Sequence, residues 1–475
     1  MTDLSGVEVN MSIFREYDIR GVVGTDLTTD VAESIGKAYA TLAKERDVKS
    51  VTVGRDGRLT SPDMRDRLVK GLMSGGLDVV DIGVCATPHL YFSLFRRDVQ
   101  GGIMITGSHN AAEYNGFKMC IGQEALYGEG IQRLRSIIET ERYTPGEGQV
   151  IEAPIIPEYL AYLKESFSSI DASALHVVID CGNGAASLVA KEALEQLGCK
   201  VTGLYCDLDG RFPNHHPDPT VVENLQDVIN AVKETGAHVG IAYDGDADRI
   251  GAVDEQGNIL WGDRLLLLFA RDVLTTNPGS TFISEVKASQ LLYDDIEKRG
   301  GRGIMWKTGH SVIKAKMKEE KAALAGEMSG HMFFADRYFG YDDAIYASCR
   351  LIEILTKVQQ PLSSLLADVP QTTVTPEIRV DCPDHQKFLL VESVIKRLQE
   401  LAETSHPEDP NLTIRNIITI DGIRVRFDEG WGLIRASNTQ PALVLRFEAS
   451  TPDHLKSIRA FMESQLGICQ RMFSM

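Results

Sequence analysis

Short runs of β-branched and aliphatic residues alternate along the chain with longer stretches whose apolar positions recur every three or four residues. The segment SVTVGRDGRLTSPDMRDRLVKGLMSGGLDVVDIG, from Ser50, reads as strand, glycine turn, helix, Gly-Gly stop and strand. The same plan returns in LHVVIDCGNGAASLVAKEALEQLGCKVTGLY, from Leu175, and in STFISEVKASQLLYDDIEKRGGRGIMWK, from Ser280. Within the second copy, Leu188, Ala193, Leu194 and Leu197 keep helical spacing. Each unit is a β-loop-α-β crossover, a connection that builds parallel strands covered by helices. Three units therefore predict three related α/β domains with mixed, largely parallel sheets and helices on both faces.

The pattern changes after Pro361 and Pro370. Strand-like TPEIRVDC is followed by a helix, FLLVESVIKRLQELAE, then by GIRVRFDEGWGLIRAS, ALVLRFEAS and a closing helix from His454. Short alternating strands between helices predict a smaller α+β domain. The expected division is residues 1–152, 153–255, 256–370 and 371–475. Ligands of open α/β sheets gather at the carboxyl ends of strands, so four domains with polar loops at such ends predict one central cleft.

Composition narrows the class. At 475 residues, 43% hydrophobic and 24% charged, the chain reads as an ordinary globular protein of several domains. Its net charge of −18 argues against nucleic acid or an anionic membrane as partner. A small anionic substrate stays open, because local Arg and Lys residues set the field inside a cleft. The start, MTDLSGVEVN, is acidic and polar, unlike a secretory signal. The longest aliphatic run, Leu265 to Leu268 followed by Phe269 and Ala270, is far shorter than a membrane span. Eight cysteines lack any C-x-x-C pair, and the closest two, Cys199 and Cys206, do not have metal-site spacing. Reduced core thiols in a cytoplasmic protein are expected. No obligate protein partner is implied.

Four loops carry candidate chemistry. Ile103-Met104-Ile105 runs into Thr106-Gly107-Ser108-His109-Asn110, which offers a serine at a tight turn but is no hydrolase elbow; alone it reads first as a turn-stabilising serine. In IAYDGDADRIGAV, Asp244, Asp246 and Asp248 alternate between two apolar strands. Three such carboxylates repel one another unless a cation neutralises them, and oxygen-only ligands suit Mg²⁺. The plain alternative is an acidic surface turn. Arg249 beside them suits a phosphate oxygen. In ALAGEMSGHMFF, preceded by WKTGHSVIK, Glu327 and Ser329 can read sugar hydroxyls, while His331 and His310 can move protons or donate to phosphate. A polar loop with a structural histidine is the competing account. In GLIRASNTQP, Arg435, Ser437, Asn438 and Thr439 form a candidate phosphate nest, or an ordinary polar hairpin. Together the four make a complete site for a sugar phosphate.

FREYDIRGVVG, TGSHN, YNGFK, DGDADR, KTGHS, GEMSGH and RASNT together resemble the α-D-phosphohexomutase superfamily nearly end to end, and within it the bacterial phosphomannomutase/phosphoglucomutase branch. The resemblance implies a heart-shaped, four-domain isomerase with a mobile fourth domain. It implies that Ser108 is a phosphoserine whose phosphate completes an Mg²⁺ shell with Asp244, Asp246 and Asp248. Arg20, Lys118, His109 and His331 are then catalytic, and Tyr17, Arg249, Lys287 and His310 join Glu327, Ser329 and the Arg435–Thr439 loop around substrate. His331, His310, Lys287 and Arg249 all match substrate-contacting or proton-handling positions, without one being singled out as acid or base. The implied reaction shuttles a phosphoryl group between C1 and C6 of mannose and glucose phosphates through a hexose 1,6-bisphosphate. Alternatives are a phosphoglucosamine mutase, against which Met328 speaks, and an Asp-nucleophile phosphatase suggested by the D-x-D of the acidic loop. Two departures stand out: Ala247 replaces a frequent glycine, and Ala111-Ala112 replaces prolines.

Overall fold

A computed structural model describes residues 9–404, 412–438 and 440–473. Each repeated unit forms as its pattern predicts. Strands Ser50–Arg55 and Asp78–Val84 are parallel and flank helix Ser61–Ser74. Strands His176–Asp180 and Lys200–Leu204 are parallel around helix Ala190–Gln196. Strands Thr281–Glu285 and Arg302–Trp306 are parallel around helix Gln290–Lys298. Antiparallel strands are added at one side of each sheet, as with Tyr114–Ile121 beside Gly101–Ile105 and Ile250–Asp254 beside Val239–Tyr243. These sheets are therefore mixed.

Strand side chains alternate between two faces, and both faces here are covered. Ile103 and Ile105 enter one core with helix Thr29–Lys44, whereas Met104 enters another. Val177 and Ile179 point opposite to Val178, and Phe282 opposite to Ile283. The core containing Met104, Val177 and Phe282 is continuous through the first three sheets. Those sheets are thus fixed against one another by buried apolar surface.

The last sheet is wholly antiparallel, with helices Asp384–Thr404 and Pro452–Phe473 sharing its core. On strand Gly430–Ala436, Ile434 and Ala436 face those helices, while Trp431 and Leu433 pack with Val286 of the third sheet's domain. Arg435 occupies the next position of that second face, so period-2 geometry carries it to the side where the domains meet.

Candidate active site

Strand Gly101–Ile105 is buried throughout and ends in a turn where Ser108 holds φ +49°, in the left-handed region. A non-glycine residue there is strained unless its surroundings impose the conformation. Arg58 imposes it. Its guanidinium, fully buried, donates to the carbonyls of Ser108 (2.7 Å), Asn110 (2.7 Å), Ala111 (2.6 Å) and Tyr114 (3.0 Å). Asp56 pairs with Arg58 at 3.1 Å, and Phe212 lies 5.0 Å beneath the guanidinium. Gly107 is required by close approach, since a Cβ would stand 2.5 Å from the Arg58 guanidinium carbon.

The acidic turn meets the serine turn directly. Ser108 Oγ donates to Asp244 at 3.2 Å and lies 3.2 Å from His109 Nδ1. Gly245 makes this contact possible, because a Cβ would fall 2.3 Å from the Ser108 carbonyl oxygen. Ala247 adopts φ +58°, a conformation that favours glycine, yet its N–H closes the turn on the Asp244 carbonyl at 3.1 Å. All three aspartates are completely buried.

Lys118 and Arg20 come from neighbouring antiparallel strands, Arg20 opposite Gly116, on the face turned away from Phe117 and Met119. The Lys118 ammonium is 2.7 Å from Asp246 and 2.5 Å from Asp248. Arg20 donates to Asn110 at 2.6 Å, in the serine turn. Burial raises the Asp244 carboxyl well above its usual range, and Asp248 and Asp246 push it further. Asp246 is displaced downwards: burial opposes ionisation, but the Lys118 ammonium outweighs it. One ammonium does not balance three carboxylates. Asp246 Oδ1 and Asp248 Oδ1 are buried without a hydrogen-bond partner. Unpartnered carboxylate oxygens in an oxygen-only set fit a hard divalent cation.

The hairpin that carries Glu327 and His331 abuts the acidic turn. Arg249 Nε donates to His331 Nε2 at 3.0 Å and is 4.0 Å from Asp244. His331 Nδ1 lies 3.1 Å from Asp342 and 3.6 Å from Asp248. Since Nε2 accepts, the proton of a neutral His331 sits on Nδ1, facing Asp342. Asp248, His331 and Asp342 form a second group able to hold a metal ion. Lys314, 2.9 Å from Asp342, already compensates that carboxylate. His310 stacks on His331 at 5.6 Å, and burial drives its pKa well below the ordinary value, with Lys314 adding to the effect.

A relay of contacts continues to the last domain. Glu327 accepts from Gly309 N–H at 2.8 Å. Burial raises its pKa, and neighbouring Glu285 adds to the rise. Ser329 is half-buried beside it. Tyr17 donates to the Thr308 carbonyl at 2.9 Å and accepts from Asn438 at 2.8 Å. Arg435 pairs with Asp421 at 3.0 Å, and the same carboxylate accepts from Thr308 N–H at 3.0 Å. Lys287 lies 3.4 Å from Glu285 and 3.2 Å from Glu377. In the last loop, Ser437 N–H bonds the Ala442 carbonyl and Gln440 N–H bonds Ser437 Oγ, so these two donors serve the hairpin rather than a nest. Thr439 lies outside the described residues.

Sequence reasoning overlooked Arg58, Asp342, Glu285 and Asp421. Arg58 sits in an unremarkable GRDGR turn, and its role needs the serine turn to be folded against it. Asp342 follows the sugar loop by eleven residues after His331 and carries no motif. Glu285 accepts from Met328 N–H at 2.9 Å and Thr308 Oγ1 at 2.6 Å, tying two candidate loops together. An acidic residue closing a buried strand was the available signal for it.

A serine hydroxyl against a buried acidic cluster able to hold a cation, reached by imidazoles, ammonium and guanidinium groups from several α/β domains, defines a phosphotransferase class of site. The chain matches, in series, phosphoglucomutase/phosphomannomutase alpha/beta/alpha domain I over residues 11–144, domain II over 157–257, domain III over 261–373 and the C-terminal domain over 377–465. It is 47% identical over 455 residues to a phosphomannomutase/phosphoglucomutase of Pseudomonas putida, covering 96% of this chain and 95% of that one. It is 45% identical over 453 residues to a phosphoglucomutase of Neisseria gonorrhoeae, covering 95% and 96%. The crystal structure of a phosphoglucomutase/phosphomannomutase family protein from Burkholderia thailandensis superposes with a TM-score of 0.89 at 40% identity, covering 98% of each chain. The chain belongs to the phosphoglucomutase/phosphomannomutase family of the α-D-phosphohexomutases. Its activity is that family's intramolecular phosphoryl transfer. Among the described residues, no helix is long and apolar enough to cross a membrane.

Proposed function

We propose that this enzyme interconverts the 1- and 6-phosphates of glucose and mannose, with Ser108 as the phosphoryl carrier and a hexose 1,6-bisphosphate as the intermediate. The observation that carries the reading is Ser108 Oγ at 3.2 Å from Asp244, within a cluster whose Asp246 and Asp248 oxygens lack partners. Asp244, Asp246 and Asp248 would hold Mg²⁺, which, when bound, supplies charge neutralisation at the transferring phosphoryl group.

The substrate's existing phosphate docks against Arg435, Ser437, Asn438 and Thr439, while Glu327 and Ser329 hold ring hydroxyls. The free hydroxyl attacks phosphoserine 108; Arg20 and Lys118 offset charge on the group in flight, and His109 borders the carrier oxygen. His331, oriented by Asp342, handles the proton at Nε2 once Arg249 turns towards phosphate. Tyr17, Lys287 and His310 line the path to the last domain. The bisphosphate then reverses and returns its other phosphate to Ser108. Glu327, reading hydroxyls away from C2, leaves glucose and mannose undiscriminated. The join near residue 370 lets the last domain move, and its closure excludes water from the phosphoserine. Eight unpaired thiols support a cytoplasmic setting.

Labelled glucose 1,6-bisphosphate tests the carrier. Wild-type enzyme should take up one phosphate, seen by intact mass, and Ser108→Ala none. Normal labelling of the variant would remove Ser108 from the role. Assaying glucose, mannose and glucosamine phosphates side by side tests the sugar; preference for glucosamine phosphate, or net release of inorganic phosphate, would overturn the proposed reaction.

A further inference from the structure

Of the cysteines, Cys181 and Cys206 stand apart. They are 25 residues distant in sequence, yet their Sγ atoms are 3.4 Å apart. They lie just past the ends of strands His176–Asp180 and Lys200–Leu204, whose last residues, Asp180 and Leu204, are register partners. Cys181 is fully buried, while Cys206 is partly exposed. Gly203 makes room for the pair, since a Cβ there would be 2.7 Å from Cys206 Sγ. The backbone on both sides is held in left-handed conformations, at Gly182 (φ +49°), Asn183 (φ +57°) and Tyr205 (φ +51°). Glycine and asparagine tolerate that region, so the strained position is Tyr205, beside Cys206.

The Cys181 turn is the support on which the acidic turn rests. Ala185 N–H donates to the Gly245 carbonyl at 2.9 Å, and a Cβ on Gly184 would meet the Gly245 backbone at 2.8 Å. Gly245 joins Asp244 to Asp246.

We propose that Cys181 and Cys206 are a dithiol oxidation site, which takes a small-molecule disulfide as its oxidant and whose closure switches off the enzyme by displacing the acidic turn. Cys206 is the entry point: it is the accessible thiol, and the hydrogen bond it shares with Cys181 lowers its pKa. Its thiolate attacks one sulfur of the small disulfide, that S–S bond breaks, and one small thiol leaves carrying the proton Cys206 gave up. Cys181 then loses its proton and attacks the Cys206 sulfur, expelling the second small thiol. Two protein thiols are oxidised to one disulfide, and one small disulfide is reduced to two thiols. Closure brings the sulfurs from 3.4 Å to about 2.05 Å. A displacement of that order, passed through Gly184 and Ala185 to Gly245, costs on the order of tenfold or more in turnover. This effect on turnover rests on the proposed role of the acidic turn; formation of the disulfide does not.

The test is oxidised glutathione applied to the whole enzyme, followed by thiol alkylation, intact mass, peptide mapping and activity. Expected are the loss of two alkylatable thiols, a Cys181–Cys206 linked peptide, at least a tenfold fall in turnover and recovery with dithiothreitol. Cys206→Ser should keep the untreated activity and resist oxidant. A stable glutathione adduct on Cys206 without the link would overturn the site, as would linkage through other cysteines. A formed link with unchanged turnover would overturn the switch. Equal inactivation of Cys206→Ser would do the same. Failure of Ser108 as carrier would instead show in phosphate labelling of the reduced enzyme, independently of the thiol count.

Discussion

Replacing Arg58 by alanine removes the group that holds the serine turn, and the consequences can be sized from its contacts. Four backbone carbonyls lose a charged donor, and Asp56 keeps only Ser61 Oγ and the N–H groups of residue 58 and Gly107. Each unsatisfied buried acceptor costs about 1–3 kcal/mol, but these losses overlap as water enters. Breaking a buried charge pair costs about 3–5 kcal/mol in total. At roughly 3 °C per kcal/mol for a unit of this size, the first domain should melt about 10–15 °C lower. Catalysis should suffer separately. Ser108, held at φ +49°, would relax towards ordinary backbone geometry, and a shift near 1 Å costs on the order of 100-fold in kcat. KM should change little, because the Arg435 loop does not touch Arg58. Arg58→Lys supplies one nitrogen and can meet at most three of the lost acceptors, so it should recover stability in part and kcat poorly. Urea melts, kcat and KM for both variants, and the phosphate content of Ser108 are the measurements. Wild-type melting and kcat in Arg58→Ala would refute the argument.

Two further outcomes follow from buried charge. Lys118→Met leaves Asp246 and Asp248 without their ammonium; in chelator the variant should lose about 3–5 kcal/mol, and Mg²⁺ should raise its melting temperature more than that of wild type. Equal chelator sensitivity of the two proteins would contradict this. At Glu377, burial raises the carboxyl pKa, but Lys287 and Arg379 outweigh burial and hold it at about 2 against an ordinary 4.5. A depressed carboxylate contributes its stability above the unfolded pKa and loses it as pH falls towards the folded one. Wild type should therefore lose up to about 3 kcal/mol from this group between about pH 4.5 and pH 2, and Glu377→Gln should show a flatter fall in urea midpoint over pH 5 to 3. Parallel curves would exclude the pair as a source of acid sensitivity.

The amino-acid pattern by itself determined the three parallel β-α-β units, because alternation in strands and three- to four-residue spacing in helices are local and need no partner to be read. It also marked the candidate residues where they cluster: Ser108 after an apolar strand, Asp244, Asp246 and Asp248 at alternate positions, and Glu327 with His331 in one turn. Only the tertiary structure decided which of these meet. Lys118 lies between Asp246 and Asp248; the pairing joins residues 128 and 130 positions apart. Arg58, Asp342, Glu285 and Asp421 act through backbone carbonyls, a histidine ring and N–H groups presented by other loops. Buried electrostatics depends on distance in space, which strand order and domain docking set and neighbouring residues do not record.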